Sequence, residues 1–309
     1  MTQPFLFGFG LGYSFHQVAH GVQDHLGFRV GGTTTTPEKL TRLKEKVGIP
    51  VYLFDRDHPL EDAKKAFEGV THILSSIPPD EDGDPAVGMH GADIAAIEGL
   101  QWAGLFSTTG VYGNRDGEWV DESSATAPNN HRSELRVKAE EQWLGLHREH
   151  GVPAHIFRLA GIYGPGRSPL DQVRGGKARR MVKPGLVLGR IHLDDIVGAV
   201  LASIRKPNPG AIYNVTDDEP MPPQDIITYA CKILGVDAPA EVSYDEVKAH
   251  LPPIMREFYE DSKRVSNKRL KEELGYTLKY PTYRDGLDAL RAEEKEKEKT
   301  AQAAPTPAE

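Results

Sequence analysis

The chain has 309 residues, 39% of them hydrophobic and 27% charged, with a formal net charge of −8. Its length suits one large or two modest cores, and its acidic balance argues against nucleic acid as a general partner, because phosphate neutralisation needs a basic face. No run approaches the ~18 to 20 uninterrupted apolar residues of a membrane span, and no basic, apolar and small-residue leader opens the chain, so the expectation is a cytoplasmic protein with no membrane partner.

The first predicted element is the apolar run Phe5-Leu6-Phe7, which breaks into Gly8-Phe9-Gly10-Leu11-Gly12-Tyr13 and then a helical stretch through Val18 and Val22. A buried strand turning on glycines into a helix start places backbone N–H groups and the positive end of a helix dipole where a pyrophosphate sits. Two registers of the glycine fingerprint fit, one from Gly8 and one from Gly10. In either, the third small residue is replaced by an aromatic, Tyr13 or Phe15. A glycine turn of this kind is a plain structural turn about as often as a dinucleotide site.

A strand from Phe28 leads into Thr33-Thr34-Thr35-Thr36, and Val51–Asp55 and His72–Pro78 read as two more, with helical spacing between them from Leu60 to Phe67. Leu105–Ser107 and His155–Leu159 are further strands, flanking a long helix from about Ser133 to His150. Strands alternating with helices imply a Rossmann-type α/β fold, a doubly wound parallel sheet whose ligands lie at the strand C-terminal ends. Past Gly164 the chain is loop-rich and basic. A helix from Leu193 to Ile204, a strand at Ala211–Val215 and helices at Pro223–Leu234 and Ser266–Leu274 follow. Cys231, the single cysteine, has no disulfide partner and is expected in the core. The charged run after Leu290 has no apolar face and is expected to be a frayed helix or disordered. His192, Asp194 and Asp195 open a helix, where Asp is explained by capping and the dipole, so no metal is expected.

Five separated segments together resemble the extended and atypical short-chain dehydrogenase/reductase family, the group labelled NAD-dependent epimerase/dehydratase. They are the glycine turn, Ser107-Thr108-Thr109-Gly110-Val111-Tyr112-Gly113, Arg158 to Gly166, Arg190-Ile191-His192-Leu193-Asp194-Asp195-Ile196, and Ile212-Tyr213-Asn214-Val215. The resemblance implies a dinucleotide domain over 1–163, with 191–216 returning to it, a substrate lobe over 164–190 and 217–290, and a tail over 291–309. A homodimer built on the long helices follows only by analogy with the family.

The resemblance places Thr108 where a hydroxyl bonds the reacting oxygen. The family's Tyr-x-x-x-Lys pair falls in Asn129–Glu140, which has no tyrosine; Lys138 there follows Glu134 by four residues, the spacing of a solvated helix pair. Tyr112, Tyr163 and His131 are the candidate replacements, each weighed against an ordinary packing or surface role. The cofactor is expected along Gly8, Gly10, Gly12, Tyr13, Thr34, Asp55, Ser75, Ser76 and Ile77. With threonines where an acid would bind the ribose 2′-hydroxyl, and Lys39 and Arg42 nearby, the NAD(P) preference tips to NADP. The basic loop offers Arg167, Arg174, Lys183 and Arg190 to a phosphorylated or carboxylated small molecule, or is a solvated surface. Two functions stay open: an NAD(P)-dependent oxidoreductase or epimerase-like enzyme on a small anionic substrate, nucleotide-sugar-like or a keto or hydroxy compound, and a redox-inactive NAD(P)-binding sensor.

Overall fold

The computed structural model describes residues 3–47 and 49–303. Strands β1 (Phe5–Phe9), β2 (Arg29–Thr34), β3 (Val51–Leu53), β4 (His72–Ser75) and β5 (Trp102–Thr108) alternate with helices α1 (Tyr13–Leu26), α2 (Pro37–Val47), α3 (Ala63–Ala66) and α4 (Pro85–Ala95). Then come β6 (Trp119–Val120), α5 (His131–His150), β7 (Ala154–Leu159), β8 (Gly161–Tyr163), α6 (Pro169–Arg174), β9 (Arg180–Val182), β10 (Arg190–His192), α7 (Leu193–Arg205) and β11 (Ile212–Val215). The chain closes with α8 (Pro223–Leu234), β12 (Glu241–Ser243), α9 (Tyr244–Val247), α10 (Pro253–Tyr259), β13 (Arg264–Val265), α11 (Lys268–Leu274) and α12 (Tyr283–Ala303).

Seven of these strands form one parallel sheet in the order β11-β7-β5-β4-β1-β2-β3. The direction of winding reverses between β1 and β4, so the C-terminal ends of those two strands open the crevice where doubly wound sheets bind ligands. The side-chain period of two in β1 divides the core. Leu6 packs with α1 and α7 on one face, whereas Phe5, Phe7 and Phe9 pack with α3, α4 and α5 on the other. Sealed on both faces, the sheet reads as continuous apolar runs rather than alternation. A second group of elements, α6, α8 and the first half of α12, has its own apolar cluster around Leu170, Ile227 and Leu287, with Cys231 buried in it.

Three expectations shift. The stretch from Leu60 to Phe67 is helical only over Ala63–Ala66. Helix α4 escapes the apolar spacing because Gly88 and Gly91 interrupt it; its start is fixed instead by Asp84, which caps Ala86 N–H at 2.8 Å just before Pro85. The charged segment after Leu290 continues α12 as helix to Ala303 instead of fraying at once, and Arg174 of α6 forms an ion pair with Glu294 across the gap.

Candidate active site

The glycine turn is held from both sides. Gly10 donates its N–H to Thr33 Oγ1 at 3.0 Å, Leu11 to Thr33 O at 2.9 Å and Gly12 to Gly10 O at 2.8 Å, while Ser76 Oγ donates to Gly10 O at 2.7 Å. The amides of the bend are therefore committed within the chain. Those left without a partner are in the first turn of α1, whose N-cap Gly12 has no side chain to cap it. Gly12 is exposed, and a Cβ there would meet nothing within 4 Å. Gly10, at φ +85°, needs its glycine for conformation. The missing third small residue is compensated on the strand: the Phe15 ring lies about 2.1 Å from where a Cβ on Gly8 would stand. Phe15 thus fills the helix–strand gap, so Gly8 serves packing, and the ring does not enter the cleft.

A cleft of about 620 Å³ runs from Gly12, Tyr13 and Ser14, past Ser76, to Thr108, Thr109 and Gly110. Thr108 ends β5 and caps a 3-10 turn over Thr109–Tyr112, its Oγ1 accepting the Gly110 N–H at 3.1 Å. Among the described residues its hydroxyl hydrogen has no acceptor, so it remains able to donate into the cleft. Behind it lies a buried polar layer. Ser107 Oγ donates to Glu140 Oε1 at 2.5 Å, and Arg158 pairs with Glu140 at 2.6 Å with both side chains 4% exposed.

Helix α5 faces the cleft with Arg132, Ser133 and Arg136. The Glu134 and Lys138 positions lie elsewhere: Glu134 is beside His131, and Lys138 donates to Glu81 O at 2.6 Å. The i,i+4 pair that reaches the cleft is Arg132 and Arg136. Arg136 donates to Phe106 O at 2.7 Å and Ile77 O at 3.3 Å, bridging the ends of β5 and β4. Burial and the nearby Arg132 lower its pKa, partly offset by Asp84 and Glu140. Arg132 is exposed and has no ion-pair partner among the described residues.

None of the three proposed tyrosine replacements reaches the cleft. Tyr112 is wholly buried, its hydroxyl donating to Asn214 Oδ1 at 2.8 Å and its ring stacked under Arg158, and burial pushes its pKa up. Tyr163 is buried edge-on to His192 without a hydrogen-bond partner among the described residues, and burial raises its pKa far above the ordinary phenol range. His131 is exposed and bonded to Glu81 Oε1 at 2.7 Å, which raises its pKa.

Several expected ligand contacts separate as well. Ser75 donates to the buried Asp84 at 2.8 Å, and Asp55 closes its own turn by accepting from Asp57 N, His58 N and the His58 ring, whose bond lowers the Asp55 pKa. Thr34 is buried at the end of β2, and Ile77 lies over Gly10. The basic loop disperses because α6 and β9 aim its charges along different faces. Arg174 goes to Glu294, Lys183 to Tyr259 O at 2.8 Å, and Arg190 stacks on Phe258 at 5.1 Å; only Arg167 lines the cleft, its guanidinium 5.8 Å from the centre of the Tyr13 ring. At the start of α7 the cap is His192, which accepts from Asp194 N at 3.1 Å, while buried Asp195 binds the Tyr276 hydroxyl and the amides of Lys279 and Tyr280.

Residues far along the chain complete the wall: Ile254, Glu257 and Phe258 of α10, and Lys263 ion-paired with Asp261. Burial lowers the Lys263 pKa, against the raising effect of Asp261. No local pattern marks them. The one available signal was the Pro252-Pro253 pair, which starts α10.

No family model matches the chain. A conserved protein of unknown function from Silicibacter pomeroyi is 44% identical to it, with 94% of this chain and 98% of that one covered at a TM-score of 0.84. The dTDP-glucose 4,6-dehydratase of Bacillus anthracis, solved with NAD, is 16% identical with a TM-score of 0.75 over 96% of this chain and 98% of its own, a likeness of fold. Protein YeeZ of Escherichia coli (strain K12) is 30% identical over 178 residues, 57% of either chain, so the chain spans little more than half the length of that curated relative. A 3-diazoavenalumate denitrifying reductase from Streptomyces is 29% identical over 140 residues, 43% of this chain and 45% of its own. Among the described residues no helix is long and apolar enough to cross a membrane.

Proposed function

The chain belongs to one family with the Silicibacter pomeroyi protein and, by fold, to the extended short-chain dehydrogenase/reductase group, and on that premise we propose that it is an NADP-dependent reductase of a small anionic substrate. The observation that carries this reading is the single cleft joining the uncapped start of α1 to Thr108, with the guanidinium groups of Arg132 and Arg136 on its α5 wall. The first-turn amides of α1 suit a diphosphate, and Arg167, stacked on Tyr13 at the same end, adds a cation there. A bound nicotinamide supplies the hydride.

The cations favour a reductase over an epimerase or dehydratase. Epimerases and dehydratases must take a proton from an alcohol, which needs a group that can be deprotonated near neutral pH, and guanidinium groups stay charged. Arg132 and Arg136 can stabilise negative charge growing on an oxygen but cannot act as the base. Reduction asks for the former: Thr108 donates a hydrogen bond to the developing oxyanion, and water in the open cleft delivers the proton. The name of the Streptomyces relative, a reductase, agrees with that direction.

The NADP preference rests on the end of β2. It carries Thr33-Thr34-Thr35-Thr36 and no carboxylate, and His16, Lys39 and Arg42 gather beside it: burial and then the charges of Lys39, His20 and Arg42 lower the His16 pKa. A 2′-phosphate finds cations there rather than a repelling acid.

The test is fluorescence titration with NADPH and NADH, followed by reduced-cofactor absorbance with carbonyl acids. NADPH is expected to bind more tightly than NADH, and Thr108→Ala to lower kcat by about 100-fold with unchanged NADPH affinity. Tight NADPH binding with no turnover on any substrate supports the sensor reading instead.

A further inference from the structure

Of the five large apolar side chains exposed among the described residues, three, Ile254 at 56%, Met255 at 38% and Phe258 at 36%, lie on the single seven-residue helix α10. Ile254 and Phe258 line the cleft, so this apolar surface is part of its wall rather than a scattered feature. On the α5 wall stands Arg132, a guanidinium without an ion-pair partner among the described residues, next to a second one on Arg136 that is already bonded to two backbone carbonyls. The cleft therefore offers one cation without an ion-pair partner among the described residues and one exposed apolar surface, whose Phe258 ring also carries the Arg190 guanidinium at 5.1 Å. Arg167 belongs to the other end, over the Tyr13 ring at the start of α1.

We propose that the substrate is an organic monoacid with an aromatic or aliphatic body, its carboxylate held by Arg132 and its body packed against Ile254 and Phe258. This inference rests on the reductase reading and deepens it. A planar, forked guanidinium matches a carboxylate with two parallel hydrogen bonds, and the charge of Arg136 beside it is relieved by an anion in the same space. Covering the exposed faces of Ile254 and Phe258 removes apolar area from water, a gain larger for an aromatic or aliphatic body than for a sugar ring edged with hydroxyl groups. Glu257 on the same helix and Asp261 next to it, itself paired with Lys263, oppose a second negative group there. In the reduction the hydride from NADPH adds to an aldehyde or ketone carbon that the acid also carries, not to its carboxylate; that carbon–oxygen π bond breaks, its electron pair passes to oxygen, water supplies the proton that completes the alcohol, and NADP+ is left.

The experiment uses the whole chain and four probes: 4-formylbenzoate, its methyl ester, glyoxylate and UDP-glucuronic acid. Binding to the NADP-loaded protein is measured by calorimetry, and NADPH oxidation by absorbance. The expected result is that 4-formylbenzoate binds at least about 10-fold more tightly than the ester, which lacks the charge, and than glyoxylate, which lacks the body. Arg132→Ala, at an exposed site, is expected to abolish the preference for acid over ester, a drop of about 10-fold, and Phe258→Ala to weaken acid and ester alike. Equal binding of acid and ester, tighter binding of UDP-glucuronic acid, no binding of any probe, or an Arg132→Ala effect confined to NADPH affinity would each overturn the proposal. The two readings fail separately. If 4-formylbenzoate binds as expected but NADPH is never oxidised, the substrate class stands and the reductase reading falls; if only the uncharged ester is reduced, the reverse holds.

Discussion

Glu140 and Arg158 meet directly behind the residue that closes β5. Their ion pair at 2.6 Å is sealed from water, Ser107 donates to the same carboxylate, and Arg158 stacks on Tyr112, which ends the 3-10 turn capped by Thr108. A buried pair of this kind contributes little relative to an apolar pair of the same volume, but removing one partner strands the other charge. Glu140→Gln is expected to lower the unfolding free energy by about 3 kcal/mol, read from the midpoint of urea denaturation at constant slope. A loss under 1 kcal/mol would mean that Arg158 finds another partner. Because the same layer sets the position of Thr108, the refolded variant should also lose kcat with little change in NADPH affinity. At this scale the aromatic residues near the cleft divide by role: Tyr112 and Phe15 are packing groups, and Tyr13, whose hydroxyl donates to Pro165 O at 3.1 Å, spans the cleft mouth.

Helix α1 is the element on which the proposed cofactor binding turns. Its first turn is uncapped, and its fourteen residues carry a dipole whose positive end faces the cleft. Gly12→Asp separates stability from binding. The φ of −91° at that position suits any residue, and the new carboxylate would cap the free amides, stabilising the helix by about 1 kcal/mol. The same carboxylate would stand where the proposed diphosphate binds. The expected outcome is a thermal midpoint that holds or rises while the NADPH dissociation constant increases by at least about 10-fold; unchanged affinity would place the diphosphate elsewhere. Helix α12 makes a different point about elements. Tyr283, Leu287 and Leu290 anchor its first half against α8, and the charged second half is held by Arg174 with Glu294 and by Arg291 with Glu298 at 3.1 Å.

Across the whole molecule, three buried histidines make stability depend on pH. His72, His155 and His192 are each pushed down to about 4 from the ordinary 6.5, in each case first by burial. The geometry of His155 fixes its neutral form, with one ring nitrogen bonded to Ala103 O at 3.1 Å and the other accepting from Asn208 N at 3.0 Å. A folded-state value below the unfolded one means that between pH 6.5 and 4 the unfolded chain binds protons that the folded one refuses. The contribution of these histidines is therefore full above pH 6.5 and is lost as pH drops, by up to about 1.4 kcal/mol per pH unit for each, while the buried carboxylates of Asp84, Asp195 and Asp217, whose pKa values burial raises, act in the opposite direction. Urea denaturation at pH 7.5, 6 and 5 should show that decline, and His155→Gln should reduce its slope by about one proton. An unchanged slope in His155→Gln would mean that water reaches that ring.

Local chemistry made the alternating strands and helices and the glycine turn legible in the sequence, because each depends on residues that are neighbours along the chain: an apolar run and a φ that only glycine adopts easily; Thr108 was singled out by the family resemblance, and the structure places it on the cleft. The same locality explains why α4 and the extent of α12 were not legible, since glycines hide the one and distant partners fix the other. Which side chains face the cleft was decided by the tertiary structure. The helical phase of α5 turned Arg132 and Arg136 inward and left Glu134, Lys138 and His131 outside, and packing took Tyr112 and Tyr163 into the core. The wall formed by Ile254, Phe258 and Lys263 joins segments more than a hundred residues from Thr108, a proximity that arises only when the sheet and the later helices pack together.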